Sequence, residues 1–264
     1  MRVKTSDTDA GQLQKHMSGT YFALRVGMGV LAAVLPFLLW LGGRLVDAEP
    51  LRCSMSAYYH SPAMRDTFVG ALVAIGVFLY LYKGFSRQEN WALNLAGVLA
   101  VGIAMVPTGL QCGEGGGPFT LHGTFAVMFF LSIAYVCVFR APDTLSLIRD
   151  AREATRLRTA YRWLGAVMVL SPMAAAALTF LLPHGARGRS VFFVEALAVL
   201  TFATYWLIKS REMSATDAER LALERKLQPA SSVTPAVDGG PGRLVQIEPE
   251  GSTPDSMRQS SGGM

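Results

Sequence analysis

Charge is what this sequence has least of. Aspartate, glutamate, lysine and arginine make up 16% of its 264 residues, against about 25% in an ordinary soluble domain. The shortage is also uneven. The tracts Val26 to Gly43, Thr67 to Tyr82, Trp91 to Val106, Phe125 to Phe139, Trp163 to Leu182 and Val191 to Ile208 hold one charged residue among them, Glu195. A helix crossing a hydrocarbon core of about 30 Å needs roughly 20 mostly apolar residues, and each tract reaches that length with a few flanking residues. Six such helices buried in a soluble protein would need a polar shell that this chain lacks.

Other absences narrow the chemistry. There are four histidines (His16, His60, His122 and His184), with no HxxxH or HExxH pair, and three cysteines with no Cys-x-x-Cys. No phosphate-cradling glycine loop or nucleophile elbow occurs; the run Gly113 to Pro118 reads as a turn. Net charge is +5 and the pI about 9.3. The basic residues nevertheless sit at the ends of apolar tracts, not in a stripe interleaved with aromatics, which excludes nucleic acid as a partner and points to membrane lipids. A cleaved signal peptide fits the first tract poorly. Its 18 apolar residues exceed the usual 7–15 of such a segment, and a polar stretch of some twenty residues precedes it.

The expected fold is therefore all-α, a polytopic transmembrane bundle with spans at about 22–43, 66–83, 90–107, 121–140, 161–182 and 190–209. Residues 1–19 form a cytoplasmic N-terminal segment before the 20–209 membrane domain. A short cytoplasmic helix follows over 210–227, capped by Ser214 or Thr216, and then a tail over 228–264. That tail has no aromatic residue and is rich in Ser, Pro and Gly, so it is expected to be disordered. Orientation follows from lysine and arginine. With the N-terminus inside, the inner segments carry fifteen, among them Lys83, Arg140, Arg149, Arg152 and Arg156. The outer ones carry five: Arg44, Arg52, Arg65, Arg187 and Arg189. The positive-inside rule then places both termini in the cytoplasm of a cell inner membrane.

Several local features fit this layout. Gly84 after Lys83 is placed for a left-handed cap, and Asp66 sits at the positive end of the second span's dipole. Trp91, Tyr161, Trp163, Tyr205 and Trp206 fall near interfaces, as belt residues do. Small residues at Ala96, Ala100 and Ala104, and at Ala174 to Ala177, permit close helix approach. Pro36 and Pro172 are expected to bend the first and fifth spans.

Ionisable and polar residues gather toward the outer side. Tyr59, His60, Arg65 and Asp66 lie in or beside the first outer loop, His122 opens the fourth span, and Glu195 lies one turn inside the sixth. A carboxylate in a span costs roughly 2.5–3.5 kcal/mol at the helix centre, so it tends to face inward. The expectation is a common cavity formed by His60, Asp66, His122 and Glu195, with Tyr59 and Arg65 at its rim. A rival reading pairs Glu195 with Arg187 or Arg189. His60 and His122 with Asp66 or Glu195 also match the ligand count of a catalytic zinc site, three protein ligands plus a water. In an oxidising outer compartment Cys53 and Cys112 are disulfide candidates, free thiols being the alternative.

The stretch Ser56 to Pro62, followed by Arg65 to Gly70, resembles a signature of uncharacterised six-span bacterial integral membrane proteins. Lys83-Gly84, Glu89-Asn90, Asn94 to Gly97, Phe192 to Ala196 and Trp206 to Lys209 fit the same group. That likeness covers most of residues 20–210 and implies no activity. Ser56 and His60, four apart and followed by Asp66, resemble the CREST superfamily of alkaline ceramidases and PAQR proteins, which implies a zinc hydrolase. This chain departs from that pattern in having six expected spans, not seven, and no late HxxxH. The six-span layout also resembles the DRAM/Frag/Sfk-like membrane proteins. Three function classes stay open: a lipid- or small-molecule-binding protein (transporter, sensor or accessory factor), a membrane-embedded metal-dependent lipid amide or ester hydrolase, and a scaffold with an interacting cytoplasmic tail.

Overall fold

Helices account for nearly all the regular structure that these apolar tracts adopt, and the described residues contain no strand. The computed structural model describes residues 7–107, 120–181 and 189–216, all within one of the chain's two units, Met1–Ser232. The long helices are α1 (Asp7–Leu45), α2 (Met64–Leu81), α3 (Arg87–Met105), α4 (Leu121–Tyr135), α5 (Ala151–Leu181) and α6 (Ser190–Thr216). A 3-10 helix, Ser56–His60, precedes α2. Behind α4 the chain continues through a π turn, Val136–Arg140, and a 3-10 segment, Ala141–Leu147.

Five of these helical stretches are long and apolar enough to cross a membrane: His16–Leu45, Met64–Leu81, Leu121–Leu147, Ala151–Leu178 and Ser190–Thr216. The sixth expected span, α3, falls short of them in apolar content. Its 19 residues include Arg87, Gln88, Glu89, Asn90 and Asn94. It is packed all the same. Each helix packs against its chain neighbours and α6 returns to α1, so the six close a ring. One end of the ring carries the starts of α1, α3 and α5, and the other carries the starts of α2, α4 and α6. The outward faces present Phe37, Trp40, Val98, Phe139, Leu170 and Leu197, an amount of exposed apolar surface that water-soluble monomers avoid.

Small residues set the helix spacing. Ala96, Ala100 and Ala104 are buried along α3, as expected. The run Ala174 to Ala177 is half-buried or exposed. The tightest approach to another helix's backbone is glycine on glycine: a Cβ on Gly97 would lie 2.6 Å from the Gly76 carbonyl oxygen, and one on Gly76 would lie 2.7 Å from that of Gly97. Pro36 and Pro172 lie inside α1 and α5.

Other expectations are corrected. Gly84 is not left-handed. The α2 C-cap Tyr82 is extended, and a Cβ at Gly84 would strike the Glu89 side chain at 2.7 Å, so that glycine makes room for a carboxylate. Trp91 and Trp163 are exposed as belt residues should be, but Tyr161, Tyr205 and Trp206 are fully buried. They stack edge-to-face with one another, and Trp206 does the same with Tyr82, in the bundle interior. Two helices outrun their apolar tracts. The α1 helix begins at Asp7, and α5 begins at Ala151, where Asp150 accepts from the Arg152 amide at 2.8 Å. At the other end α6 runs unbroken to Thr216. The Ser214 and Thr216 hydroxyls donate to the carbonyls of Ser210 and Glu212 within the helix. The rest of the expected 210–227 helix and the 228–264 tail lie outside the described residues.

Candidate functional site

The segment between α1 and α2 buries Met55, Ala57 and Tyr58, and side-chain hydrogen bonds shape the rest of it. Arg52 donates from two nitrogens to Glu49 at 2.7 Å each, and Asp47 accepts from the Ser61 hydroxyl and the Ala63 amide. Ser54 Oγ accepts from the Ala57 amide at 3.0 Å, closing the first turn of the Ser56–His60 helix. Tyr58 is buried against Phe192 with the Arg52 guanidinium over its ring, and burial pushes its hydroxyl pKa up. The Phe192 amide donates to the Cys53 carbonyl at 2.8 Å, tying the segment to the start of α6.

Glu195, in the second turn of α6, completes that attachment. Its Oε2 accepts from the Met55 amide at 2.6 Å and from the Ser56 amide at 3.4 Å. The carboxylate thus occupies the positive end of the short helix, where two backbone donors offset part of its charge. Among the described residues no lysine or arginine forms an ion pair with it; the ion pairs there are Arg52–Glu49, Arg140–Asp143 and Lys209–Glu212. Of the two partners proposed for Glu195, Arg189 is exposed and Arg187 lies outside the described residues.

His122 is buried at the start of α4, where Thr120 caps the helix by accepting from the Gly123 amide at 3.1 Å. Its Nδ1 lies 2.9 Å from the Val106 carbonyl, the C-cap of α3. A carbonyl only accepts, so Nδ1 carries the hydrogen, and in the neutral ring Nε2 is left as an acceptor.

His122 and Glu195 line one cavity of about 100 Å³ inside the ring. Ser56 is the third polar residue in its wall. The rest is apolar and includes Phe68, Phe129, Phe130, Val199 and Phe202. An engineered cavity of about 150 Å³ with such a lining binds benzene or xenon, so this one is sized for an apolar fragment of the same order.

The expected four-residue convergence is therefore corrected to two. Asp66 is exposed on the first turn of α2, and His60 packs its ring on the edge of Tyr59 without lining the cavity. Helix phase explains Asp66: the buried face of α2 runs through Met64, Phe68, Ala71, Ile75 and Leu79, and position 66 points away from it. Arg65 stacks over Tyr59 at 4.8 Å and donates to its hydroxyl at 3.1 Å, on the surface. No three His, Cys, Asp or Glu residues gather into a metal-binding group among the described residues, so His60, His122, Asp66 and Glu195 do not form the zinc set the ligand count allowed. Cys53 is disulfide-bonded, Cys137 is free and buried, and Cys112 lies outside the described residues.

At the opposite end lies a polar network that sequence reading missed. Lys209, counted there as a topology charge, is fully buried and donates to the Ala141 carbonyl at 3.1 Å, to Thr144 Oγ1 at 2.6 Å and to Glu212 at 3.1 Å. Glu212 also accepts from the Thr144 and Tyr161 hydroxyls. Nearby, Arg140 donates to Ser86 and Gln88 and pairs with Asp143 at 2.6 Å. The i,i+3 spacing of Lys209 and Glu212 was the available signal. Lys209, Glu212, Thr144 and Tyr161 all find their partners inside the protein, which makes this network a clamp between helices and leaves the cavity as the candidate site. Compared with known family models, characterised proteins and solved structures, the chain matches none.

Proposed function

We propose that this is a multi-pass integral protein of a cell inner membrane, with both termini cytoplasmic, that binds a lipid or other apolar small molecule in the interhelical cavity. What carries the reading is the cavity itself: an apolar space within a ring of membrane-length helices, with Ser56, His122 and Glu195 as its polar groups. Apolar pockets with a few placed polar groups are the usual form of small-molecule sites. The orientation rests on charge. Lys83, Arg87, Arg140, Arg149, Arg152, Arg156 and Arg158 share the end of the ring away from the cavity, and only Arg44, Arg52, Arg65 and Arg189 of the described residues flank the cavity end. The cavity then lies toward the outer leaflet, within reach of lipid. Transport, sensing or an accessory role would each use such a site. The metal-hydrolase alternative has lost the ligand set that motivated it.

The experiment is photolabelling of the purified full-length protein with a twelve-carbon alkyl diazirine. Labelling is expected to saturate with probe and to fall to background in Val199→Trp, which fills the cavity wall, while the melting temperature of the variant stays close to the parent's. Labelling that rises linearly with probe and ignores Val199→Trp would remove the proposal.

A further inference from the structure

The polar part of the cavity is selective in kind. Glu195 brings a carboxyl group that no basic residue among those described pairs with, and in its ionised form it accepts hydrogen bonds only. His122 offers Nε2 as an acceptor because Val106 holds the other nitrogen's hydrogen. The Ser56 hydroxyl, in contact with Ser54 Oγ at 3.0 Å, adds a third oxygen whose lone pairs can accept. One wall thus combines three acceptors, one of them a carboxylate that no cation pairs with and that the Met55 and Ser56 amides satisfy only in part, and the remaining walls are aliphatic and aromatic. A primary ammonium carries three N–H donors and one positive charge, and a buried carboxylate gains most from a charged donor. A hydroxyl head brings one donor and no charge, and a carboxylate head brings repulsion.

Resting on the lipid-binding reading above, we infer that the cavity selects single-chain primary amines: the ammonium meets Glu195, Ser56 and His122, and the chain enters between Phe68, Phe129 and Phe202. Nothing covalent is required.

The test is competition against the alkyl diazirine in the full-length protein by three compounds of one chain length, dodecylamine, dodecanol and dodecanoate. Dodecylamine is expected to compete at least about tenfold more strongly than dodecanol, the factor that about 1.4 kcal/mol represents, and dodecanoate most weakly. In Glu195→Gln, which keeps an oxygen for the Met55 and Ser56 amides but loses the charge, amine and alcohol should converge to within about threefold. Ser56→Ala, a smaller change, should narrow the gap part of the way and guards against a Gln variant that fails to fold. Equal competition by dodecanol in the parent protein, or an amine preference that survives Glu195→Gln, overturns the amine assignment while leaving the lipid-binding reading intact. If none of the three compounds displaces the probe, both fail.

Discussion

Lys209→Met is expected to lower the unfolding free energy of the detergent-solubilised protein by about 3–5 kcal/mol, the usual cost of removing one partner from a buried ion pair. Methionine keeps most of the stem's bulk, so the loss reports charge and hydrogen bonds more than packing. Lys209 and Glu212 have side-chain exposures of 2% and 0%, and no solvent is at hand to compensate the carboxylate that remains. The pair also joins three parts of the chain: Lys209 reaches Ala141 and Thr144 behind α4, and Glu212 reaches Tyr161 on α5. The informative control is the double variant Lys209→Met/Glu212→Gln. Glutamine still accepts from Tyr161 and Thr144 without carrying charge, so the double variant should be more stable than Lys209→Met alone. That non-additivity is the mark of directly coupled residues. A single variant within about 1 kcal/mol of the parent, by equilibrium unfolding in mixed micelles, would show that the network is not a clamp.

Gly97→Val is expected to cost about 1–3 kcal/mol, the range for overpacking a close-packed contact. The reason is backbone, not side chain. The first carbon added at Gly97 already lies 2.6 Å from the Gly76 oxygen and 3.1 Å from the Tyr80 nitrogen, and neither can swing aside as a flexible side chain would. The α2 and α3 helices must separate. Lipid supplies no hydrophobic drive to hold helices together once close packing is lost, so the variant should also loosen the side of the cavity that Leu72, Ile75 and Ile103 provide. The matching control is Gly70→Ala, also on α2, where an added Cβ meets nothing within 4 Å. There alanine should stabilise by about 0.5–1 kcal/mol through helix propensity. Equal effects of the two substitutions in thermal melts would contradict the crossing-point argument.

Much of the architecture was legible because apolarity and length are strong, local signals. The tracts of α1, α2, α4, α5 and α6 stand out by composition alone. The beginnings of α1 and α5 did not, since Asp7 to Arg25 and Ala151 to Arg162 are helical while carrying many polar residues, the second stretch opened by Asp150 accepting from the Arg152 amide. Reading apolar runs finds the part of a helix in lipid, not the whole helix. The α3 case is the reverse: its first turn is polar because Ser86 and Glu89 cap it, with Ser86 Oγ accepting from the Glu89 amide and Glu89 from the Phe85 amide.

The site was half legible. Glu195 and His122 were singled out for being ionisable near span starts, and both face the cavity. Position in a span gave depth but not direction, which is why Asp66 was grouped with them. Helical phase separates the three. Glu195 stands three residues after Phe192 and seven before Phe202, and His122 stands seven before Phe129, each on its helix's inward face. Asp66 stands two residues from both Met64 and Phe68. The hydrogen bonds from Met55 and Ser56 to Glu195, across 140 and 139 residues of chain, leave no mark in sequence spacing. The Lys209 network was hidden for another reason: a lysine at the end of an apolar tract reads as a surface charge unless the Thr144, Tyr161 and Glu212 around it are known.

The most direct test of the cavity as a ligand site is where the alkyl diazirine forms its adduct, mapped by peptide mass spectrometry on the full-length protein. Adducts are predicted on residues that face the cavity from different helices, such as Phe68 on α2, Phe129 on α4 and Val199 on α6, and should disappear together when an excess of unlabelled twelve-carbon competitor is present. Adducts confined to outward-facing residues such as Phe37, Trp40, Val98 and Leu170, unchanged by competitor, would contradict it.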